Sequence, residues 1–424
     1  MNDHLIISSR GELILFNLTP LNNIDYTIYD PHHNPLITKK LCGDRVLNFY
    51  ATIDDKNVIH LISLMESGQL NYFIFKDDNW SKAVISKFNF KSNIYNNMLF
   101  FLEGNNINLF YDYANLINSK LWTIQHVVGD SNTWKKSNVI NFIADKNTYS
   151  FHLDKDSFGT IHLLYSSNNK DGYQIYHTFY SSLAEKWNQP PYHVSNFSTN
   201  NIFPYLFVDS KDNLHGLWLE GKIDENTLKY FQFSSSSKEG YQWRQINIPY
   251  VSNCNHRPIM IEENGILKII YSHTNCISFL YSSDYGKSWF KGDTLDVNNA
   301  EIKLVKITGN LLNIRNTKIN YAYCTTKNAL QFYFIDAFNP LDNESSPTKP
   351  LNTNILSKQF LSNDHNKEIQ LKDDDYSESQ EEIKALLLEI SNSQKTMEKD
   401  IQRIIKLLGE YKPSFLHKLF GSSK

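Results

Sequence analysis

The stretch Tyr281-Ser282-Ser283-Asp284-Tyr285-Gly286-Lys287-Ser288-Trp289 is the best-formed copy of a pattern that recurs through the first 340 of the 424 residues. Around it a three-part unit occurs seven times, which is the sequence signature of a repeat architecture. The unit opens with Asn, Asp or Gly, then any residue, then Ile or Leu, then a fourth residue. These fourth residues are spaced by 45 to 54 positions, and they are Ile14, His60, Asn108, His162, His215, Lys268 and Asn313.

The second and third parts of the unit are a short aromatic strand and a polar turn that ends in tryptophan. Five of the seven tryptophans fall in this turn, namely Trp80, Trp134, Trp187, Trp243 and Trp289. A further apolar stretch precedes each unit, so that every repeat contains four short strands separated by Gly, Asn, Asp and Ser.

Four strands per repeat at this period predict an all-β fold. We expect residues 1–340 to form a seven-bladed β-propeller of four-stranded antiparallel blades. A ring leaves few unpaired strand edges, and the blade tryptophans are expected to fill the interfaces between blades. The period leaves two alternatives open: six blades instead of seven, and a β-sandwich or solenoid with the same strand content.

The pattern Ser282-x-Asp284-x-Gly286-x-Ser288-Trp289 resembles the Asp-box of the sialidase and BNR-repeat propellers. Its role is structural, because Gly286 permits a positive φ, Asp284 accepts backbone hydrogen bonds and Trp289 enters an apolar layer. The resemblance covers residues 1 to about 340 as architecture, with degenerate copies elsewhere.

A sialidase would also have an arginine cluster, a tyrosine nucleophile paired with a glutamate, and an acidic acid/base residue. Only five arginines occur in the repeats: Arg10, Arg45, Arg244, Arg257 and Arg315. Arg257 is the one candidate catalytic residue, because it stands at the start of an inner strand. The resemblance therefore implies a non-catalytic member of the superfamily.

Two other kinds of site are weaker in the sequence. His60, His162 and His215 share one repeat position, but a bond to an aspartate turn of their own blade, at Asp55, Asp156 or Asp212, explains them better than a metal does. Glu103, Asp112, Glu220 and Glu262 are available for glycoside hydrolysis, but nothing in the sequence singles out a pair. We expect neither a metal nor a cofactor.

Composition excludes several classes of protein. A net charge of −3 and the lack of a basic stripe argue against nucleic-acid binding. No apolar run reaches the about 18 to 20 residues of a membrane span, and the N-terminus lacks a signal pattern. The four scattered cysteines suggest reduced thiols, so the sequence predicts a cytoplasmic protein.

The C-terminal residues change character. Residues 341–375 read as a flexible polar linker, 376–411 as a coiled-coil helix, and 412–424 as a short basic and aromatic tail. The helix could instead pack on the propeller, and the tail could cap the coiled coil or contact a partner or a membrane surface. The heptad seam is Ile383, Leu387, Ile390, Gln394, Met397, Ile401, Ile404 and Leu408.

These features predict a non-enzymatic binding or scaffold protein that presents a propeller face to a protein or glycan ligand. The coiled coil would make it a homo-oligomer and raise avidity. The alternative is a sialidase-like glycoside hydrolase that acts on an anionic glycan through Arg257.

We predict that deleting residues 370–424 converts the oligomer to a monomer, because the deletion removes the heptad seam. Light scattering coupled to size exclusion measures the mass. An unchanged mass for the truncated protein would show that the tail does not drive association.

Overall fold

The structure is a computed structural model. It describes residues 3–338, except 78, 105, 130–132, 146–149, 170–171, 197–198, 223–224, 237–239, 255, 274, 298–300, 311–315 and 327–328. These residues belong to one unit, Met1–Asn343, and they form strands plus one short 3-10 helix, Asp336–Phe338. None of them forms a helix long and apolar enough to cross a membrane. The predicted linker, coiled coil and tail lie outside the described residues.

The described strands form six sheets, each with a run of four strands in sequence order. Their bounds are as follows: sheet 1, β1 (His4–Ile7), β2 (Leu13–Leu18), β3 (Ile24–Tyr29) and β4 (Pro35–Cys42); sheet 2, β5 (Val46–Ile53), β6 (Ile59–Met65), β7 (Gln69–Lys76) and β8 (Asn79–Lys87); sheet 3, β9 (Asn93–Glu103), β10 (Asn106–Asn115), β11 (Asn118–Gly129) and β12 (Trp134–Ile143); sheet 4, β13 (Phe151–Lys155), β14 (Ile161–Asn169), β15 (Gly172–Ser181) and β16 (Lys186–Trp187), with β17 (Tyr192–His193) also on β15; sheet 5, β18 (Asn201–Val208), β19 (Leu214–Lys222), β20 (Glu225–Ser236) and β21 (Gly240–Gln245); sheet 6, β22 (Ile259–Glu263), β23 (Ile266–His273), β24 (Cys276–Ser282) and β25 (Phe290–Asp296).

In sheets 1, 2 and 6 the first strand is largely buried and the fourth strand is largely exposed. All four residues of β1 are buried, whereas the first six residues of β4 are exposed. The first strands also contact one another: β1 contacts β5, β5 contacts β9, β13 contacts β18, and β18 contacts β22. First strands that meet while fourth strands face solvent are the arrangement of a β-propeller.

The turn between the first and second strands explains why the repeat opens with Asn, Asp or Gly. In sheet 5, Asp209 Oδ1 accepts hydrogen bonds from the backbone N–H groups of Lys211 (2.8 Å) and Asn213 (2.9 Å). Asp212 stands between them with a φ of 60°. Asn, Asp and Gly tolerate this left-handed backbone best, which is why they recur there. Equivalent turns are those at Asp54 with Asn57 and at Asp156 with Gly159.

These turns also bond to the turns of neighbouring sheets. Ser9 and Asn57 exchange two hydrogen bonds of 2.9 Å between sheets 1 and 2. Ser157 donates its N–H and hydroxyl to Asp212 at 2.8 and 2.6 Å, which joins sheets 4 and 5. At the end of the sheets that carries the turns, these side-chain bonds tie several pairs of neighbouring sheets together.

The seventh repeat does not form a separate four-stranded sheet among the described residues. Its first strand, β26 (Lys303–Gly309), pairs in parallel with β1. β28 (Tyr321–Thr325) then pairs with β26, β29 (Gln331–Phe332) with β28, and β27 (Thr317–Ile319) with β22. The structure therefore differs from the predicted seven four-stranded blades, because the last copy bonds to the free edge of β1 and extends sheet 1.

We predict that Asp209→Ala destabilises the fold by about 3 kcal/mol, because it leaves buried donors without their acceptor. Burial alone would raise the pKa of Asp209, but hydrogen bonds from His215 and Asn213 outweigh it and lower the pKa. Because the pKa is lower in the folded state, the carboxylate stabilises the fold at pH values above the unfolded pKa of about 3.9. This stabilisation is lost as the pH falls through the folded pKa. The free energy of unfolding measured in urea should therefore differ between variant and wild type at pH 7, and the difference should shrink in acid.

The control is Asp30→Ala, since Asp30 accepts the same pair of turn hydrogen bonds at 2.9 and 2.7 Å but in an exposed position. We expect a smaller loss of stability there. Equal losses in the two variants would contradict a special contribution of the buried carboxylate.

Candidate functional site at the mouth of the channel

A cavity of about 180 Å³ opens where the first strands of the sheets begin. We call it the channel pocket. The residues that line it include His4, Tyr50, Phe203, Arg257, Lys306 and Tyr321.

Three of these residues form one row across neighbouring strands. In the parallel pair β1–β26 His4 lies opposite Lys306, and in the antiparallel pair β26–β28 Lys306 lies opposite Tyr321. Residues in register on adjacent strands project their side chains to the same face of a sheet. The seventh repeat thus supplies Lys306 and Tyr321 to the pocket.

Two cations flank Tyr321. The Arg257 guanidinium carbon lies 4.6 Å from the centre of the Tyr321 ring and 5.5 Å from that of Tyr205. The Lys306 Nζ lies 4.9 Å from the ring centres of both Tyr321 and Tyr50. Aromatic faces stabilise cations at this range, so both positive charges are held within a wall of tyrosines.

The cations make Tyr321 unusually acidic for a buried phenol. Burial raises its pKa, but the charges and hydrogen bonds of Lys306 and Arg257 outweigh burial, so the pKa of Tyr321 is lowered. Burial would likewise lower the pKa of Lys306, yet Tyr321 and Tyr50 raise it. Tyr50 differs, because burial dominates and raises its pKa. The pocket therefore holds a charged ammonium beside one phenol whose pKa is lowered.

Two buried histidines adjoin this cluster and are neutral at pH 7. Burial, reinforced by Lys306, lowers the pKa of His4 to about 3, and burial with Arg257 lowers the pKa of His152 far below 6.5. His152 Nδ1 accepts a hydrogen bond from Leu206 N–H (3.2 Å), so the ring proton is on Nε2. Neither His152 Nε2 nor His4 Nδ1 has a hydrogen-bond partner among the described residues.

No carboxylate among the described residues forms an ion pair with Lys306. The nearby Asp154 carboxylate instead binds Lys318 Nζ at 3.1 Å and accepts from Val208 N–H at 2.8 Å. At the rim, Asp3 faces Lys303 at 3.9 Å. The side chains beside the Lys306 ammonium are phenols, and the Arg257 guanidinium also lies over the Tyr321 ring. Two cations in one pocket attract an anion from solution.

Of the arginines considered in the sequence, Arg257 alone lines the channel pocket among the described residues. Arg45 forms an exposed ion pair with Glu66 at 3.1 Å, and Arg315 lies outside the described residues. Arg10 is exposed and Arg244 lies on β21, a fourth strand. The three arginines that a sialidase would bring together do not converge in the described part of the chain.

The three repeated histidines lie on second strands, in contact with acids of their own sheets. The histidine Nε2 atoms lie 3.5 Å (His60–Asp54), 3.4 Å (His162–Asp156) and 3.0 Å (His215–Asp209) from the carboxylates. For His60 and His215 the partner is thus the first residue of the turn, Asp54 or Asp209, and not Asp55 or Asp212 as expected. The first residue is the partner because its carboxylate already caps the turn. The described residues contain no cluster of three or more metal-ligating side chains.

The four acids considered for hydrolysis are dispersed. Glu103 pairs with Lys155 (3.3 Å), Glu220 with Lys229 (2.8 Å), and Glu262 accepts from Ser210 (2.5 Å). Asp112 is buried and accepts hydrogen bonds from Asn97 and Ser150, which joins sheets 3 and 4. None of these acids lines the channel pocket.

The Asp-box turn lies between the third and fourth strands of sheet 6. Asp284 Oδ1 accepts from Ser288 N–H (2.9 Å) and Asp284 Oδ2 accepts from the Ser288 hydroxyl (2.6 Å). Ser282 Oγ accepts from Gly286 N–H (2.8 Å) and donates to Asp284. Gly286 has a φ of 85°, and a Cβ there would overlap the Tyr230 hydroxyl of sheet 5. The turn packs against the neighbouring sheet and lies apart from the pocket.

Four of the five turn tryptophans pack against the preceding sheet. Their partners are Phe16 for Trp80, Phe110 for Trp187, His177 for Trp243 and Tyr230 for Trp289. Trp134 is the exception to the expected burial, with 39% of its surface exposed. Trp122, outside the repeated turn, is instead fully buried in the interface between sheets 3 and 4.

The sequence reasoning missed most of the pocket, although the repeat contained a signal for it. Ten residues before the fourth residues Ile14, His60, Asn108, His162 and His215 stand His4, Tyr50, Met98, His152 and Tyr205. Four of these five can form polar contacts, although a buried inner strand would favour aliphatic residues. Lys306 and Tyr321 had no such signal, because the seventh copy departs from the register of the others.

No protein-family model matches this sequence, and no curated protein matches it. Among solved structures it is similar to a polysaccharide lyase, the PL25 ulvan lyase, with a TM-score of 0.51 and 11% identity over 76% of this chain and 89% of that one. It also matches an α-L-arabinanase of Penicillium chrysogenum (TM-score 0.43, 10% identity, 68% of this chain and 95% of that one). A third similar structure is the fucose-specific lectin from Aleuria aurantia, with a TM-score of 0.41 and 12% identity over 70% of this chain and 96% of that one. At such identities the similarity concerns the fold, and only the first has a TM-score above 0.5.

Proposed function

We propose that the channel pocket binds an acidic glycan and that its carboxylate lies between Lys306 and Arg257. The observation that carries the proposal is the charged Lys306 ammonium, which has no carboxylate partner among the described residues. Lys306 is partly buried beside tyrosine rings, so a single anionic group gains more there than at a fully exposed lysine. The ulvan lyase of similar fold was solved bound to -[GlcA(1-4)Rha3S]-, which is an acidic saccharide.

This proposal keeps the propeller face as a binding face and specifies the ligand. It does not retain the sialidase-like alternative, because that chemistry needs several arginines and a paired glutamate at one site. The homo-oligomer formed through residues 376–411 and the cytoplasmic location remain predictions from the sequence.

We expect oligoglucuronate to bind the full-length protein and neutral oligoglucosides of equal length not to bind, by isothermal titration calorimetry. Lys306→Met should lower the affinity at least about tenfold, the equivalent of about 1.4 kcal/mol, because it removes one of the two positive charges of the pocket. Lys318→Met is the matched control, since Lys318 is already paired with Asp154, and its affinity should match wild type. Equal affinity for acidic and neutral sugars would refute the proposal.

A second candidate function, eliminative cleavage of the same glycan, is favoured by the lowered pKa of Tyr321. The Tyr321 phenolate would take the proton from the carbon next to the sugar carboxylate, while Lys306 and Arg257 stabilise the resulting negative charge. The bond from the adjacent carbon to the leaving oxygen then breaks, and a carbon–carbon double bond forms. Tyr321 returns its proton to the leaving oxygen, so that no other reactant is consumed.

If elimination occurs, the product carries a double bond conjugated to the carboxylate and absorbs in the ultraviolet. Tyr321→Phe should abolish the absorbance change and leave binding intact. Because the base must be ionised, the rate should rise with pH through the pKa of Tyr321. New reducing ends that lack ultraviolet absorbance and carry oxygen-18 from labelled water would indicate hydrolysis instead.

A further inference from the structure

An irregularity in the first strand of sheet 5 places an aromatic side chain at the channel pocket. On β18 the register with β19 shifts between Ile202 and Tyr205, so that Phe203 and Pro204 form a bulge. Phe203 lines the same cavity as Arg257 and Tyr321 and is only partly buried. The bulge thus turns an apolar ring toward a pocket that contains two cations.

Phe203 adopts this position in an unfavourable backbone conformation. Its φ is 57°, in the left-handed region where the Cβ atom crowds the carbonyl oxygen. Seven of the twelve described non-glycine residues with positive φ are Asn or Asp, which tolerate the region far better. Glycine or asparagine would adopt the backbone of the bulge more easily than phenylalanine. The presence of phenylalanine at this position therefore needs an explanation.

Phe203 is less deeply buried than the neighbouring aromatic side chains of its strand. Phe203 packs at the margin of the largest apolar cluster, whereas its neighbours Tyr205 and Phe207 are fully buried there. Residues held in strained conformations are concentrated at ligand sites, where the surrounding structure holds them. The ring lines one side of a cavity whose other residues include the two cations.

We propose that Phe203 is a specificity-determining residue whose ring stacks on the apolar face of the sugar that Lys306 and Arg257 hold by its carboxylate. This inference rests on the proposed function. A pyranose ring with equatorial substituents presents a face of C–H groups, which pack on the electron-rich face of an aromatic ring. Charge on one side and an apolar face on the other select a sugar acid over a small inorganic anion.

The test uses the full-length protein and oligoglucuronate titrated by calorimetry at two salt concentrations. Phe203→Leu keeps an apolar side chain but removes the flat ring, so the affinity should fall about tenfold. The dependence of affinity on salt should stay as in wild type, because both cations remain, whereas Lys306→Met should weaken it.

The matched control is Phe334→Leu. Phe334 is also partly buried, with a φ of 61°, but it packs on Phe279 and does not line the channel pocket. Its variant should bind like wild type. Equal losses of affinity in the two leucine variants, or a change within twofold for Phe203→Leu, would overturn the proposal.

Phe203→Gly separates a binding role from a packing role. Glycine relieves the backbone, so we expect an unchanged or higher Tm together with weaker binding. A lower Tm with unchanged affinity would overturn the proposal, and Phe203→Leu decides the question if the glycine variant does not fold. Absence of binding by the wild type would instead refute the proposed function on which this one rests.

Discussion

The parallel pairing of β1 with β26 is the contact on which the candidate site depends. It sets His4 beside Lys306, and the next ladder sets Lys306 beside Tyr321. Without this pairing the first strand would have an unpaired edge, and the ammonium would lose the tyrosine wall that holds it. Ring closure and the assembly of the pocket therefore depend on the same hydrogen bonds.

The opposite end of the sheets is stabilised by side-chain hydrogen bonds within and between turns. There the carboxylates of Asp54, Asp156 and Asp209 cap the turns of sheets 2, 4 and 5, a residue with positive φ reverses the chain in each, and polar side chains reach the adjacent turn. These turns are conformationally demanding, and their residues vary little from copy to copy. At the pocket end, the equivalent positions carry His4, Tyr50, Met98, His152 and Tyr205, so the residue type differs between sheets.

The repeat, its four strands and its turns could be predicted from the sequence because each follows from local chemistry. The positive φ at Gly286 and at opening residues such as Asn57, Gly159 and Asp212 requires particular residues, and apolar alternation defines the strands. The fate of the seventh copy could not be predicted, since it depends on an edge of β1 about 300 residues away in sequence. Arg257 was found through a resemblance, whereas Lys306 and Tyr321 became visible only when β26 and β28 were placed.

The same order of strands has a consequence for the newly made chain. Lys306 and Tyr321 follow His4 by about 300 residues in the sequence, so they emerge from the ribosome well after His4 and Tyr50. Until β26 reaches β1, the growing chain has no cation pair around Tyr321 and no competent pocket. The proposed glycan recognition would thus begin only with the closed ring, so that an incomplete chain would not compete for the ligand.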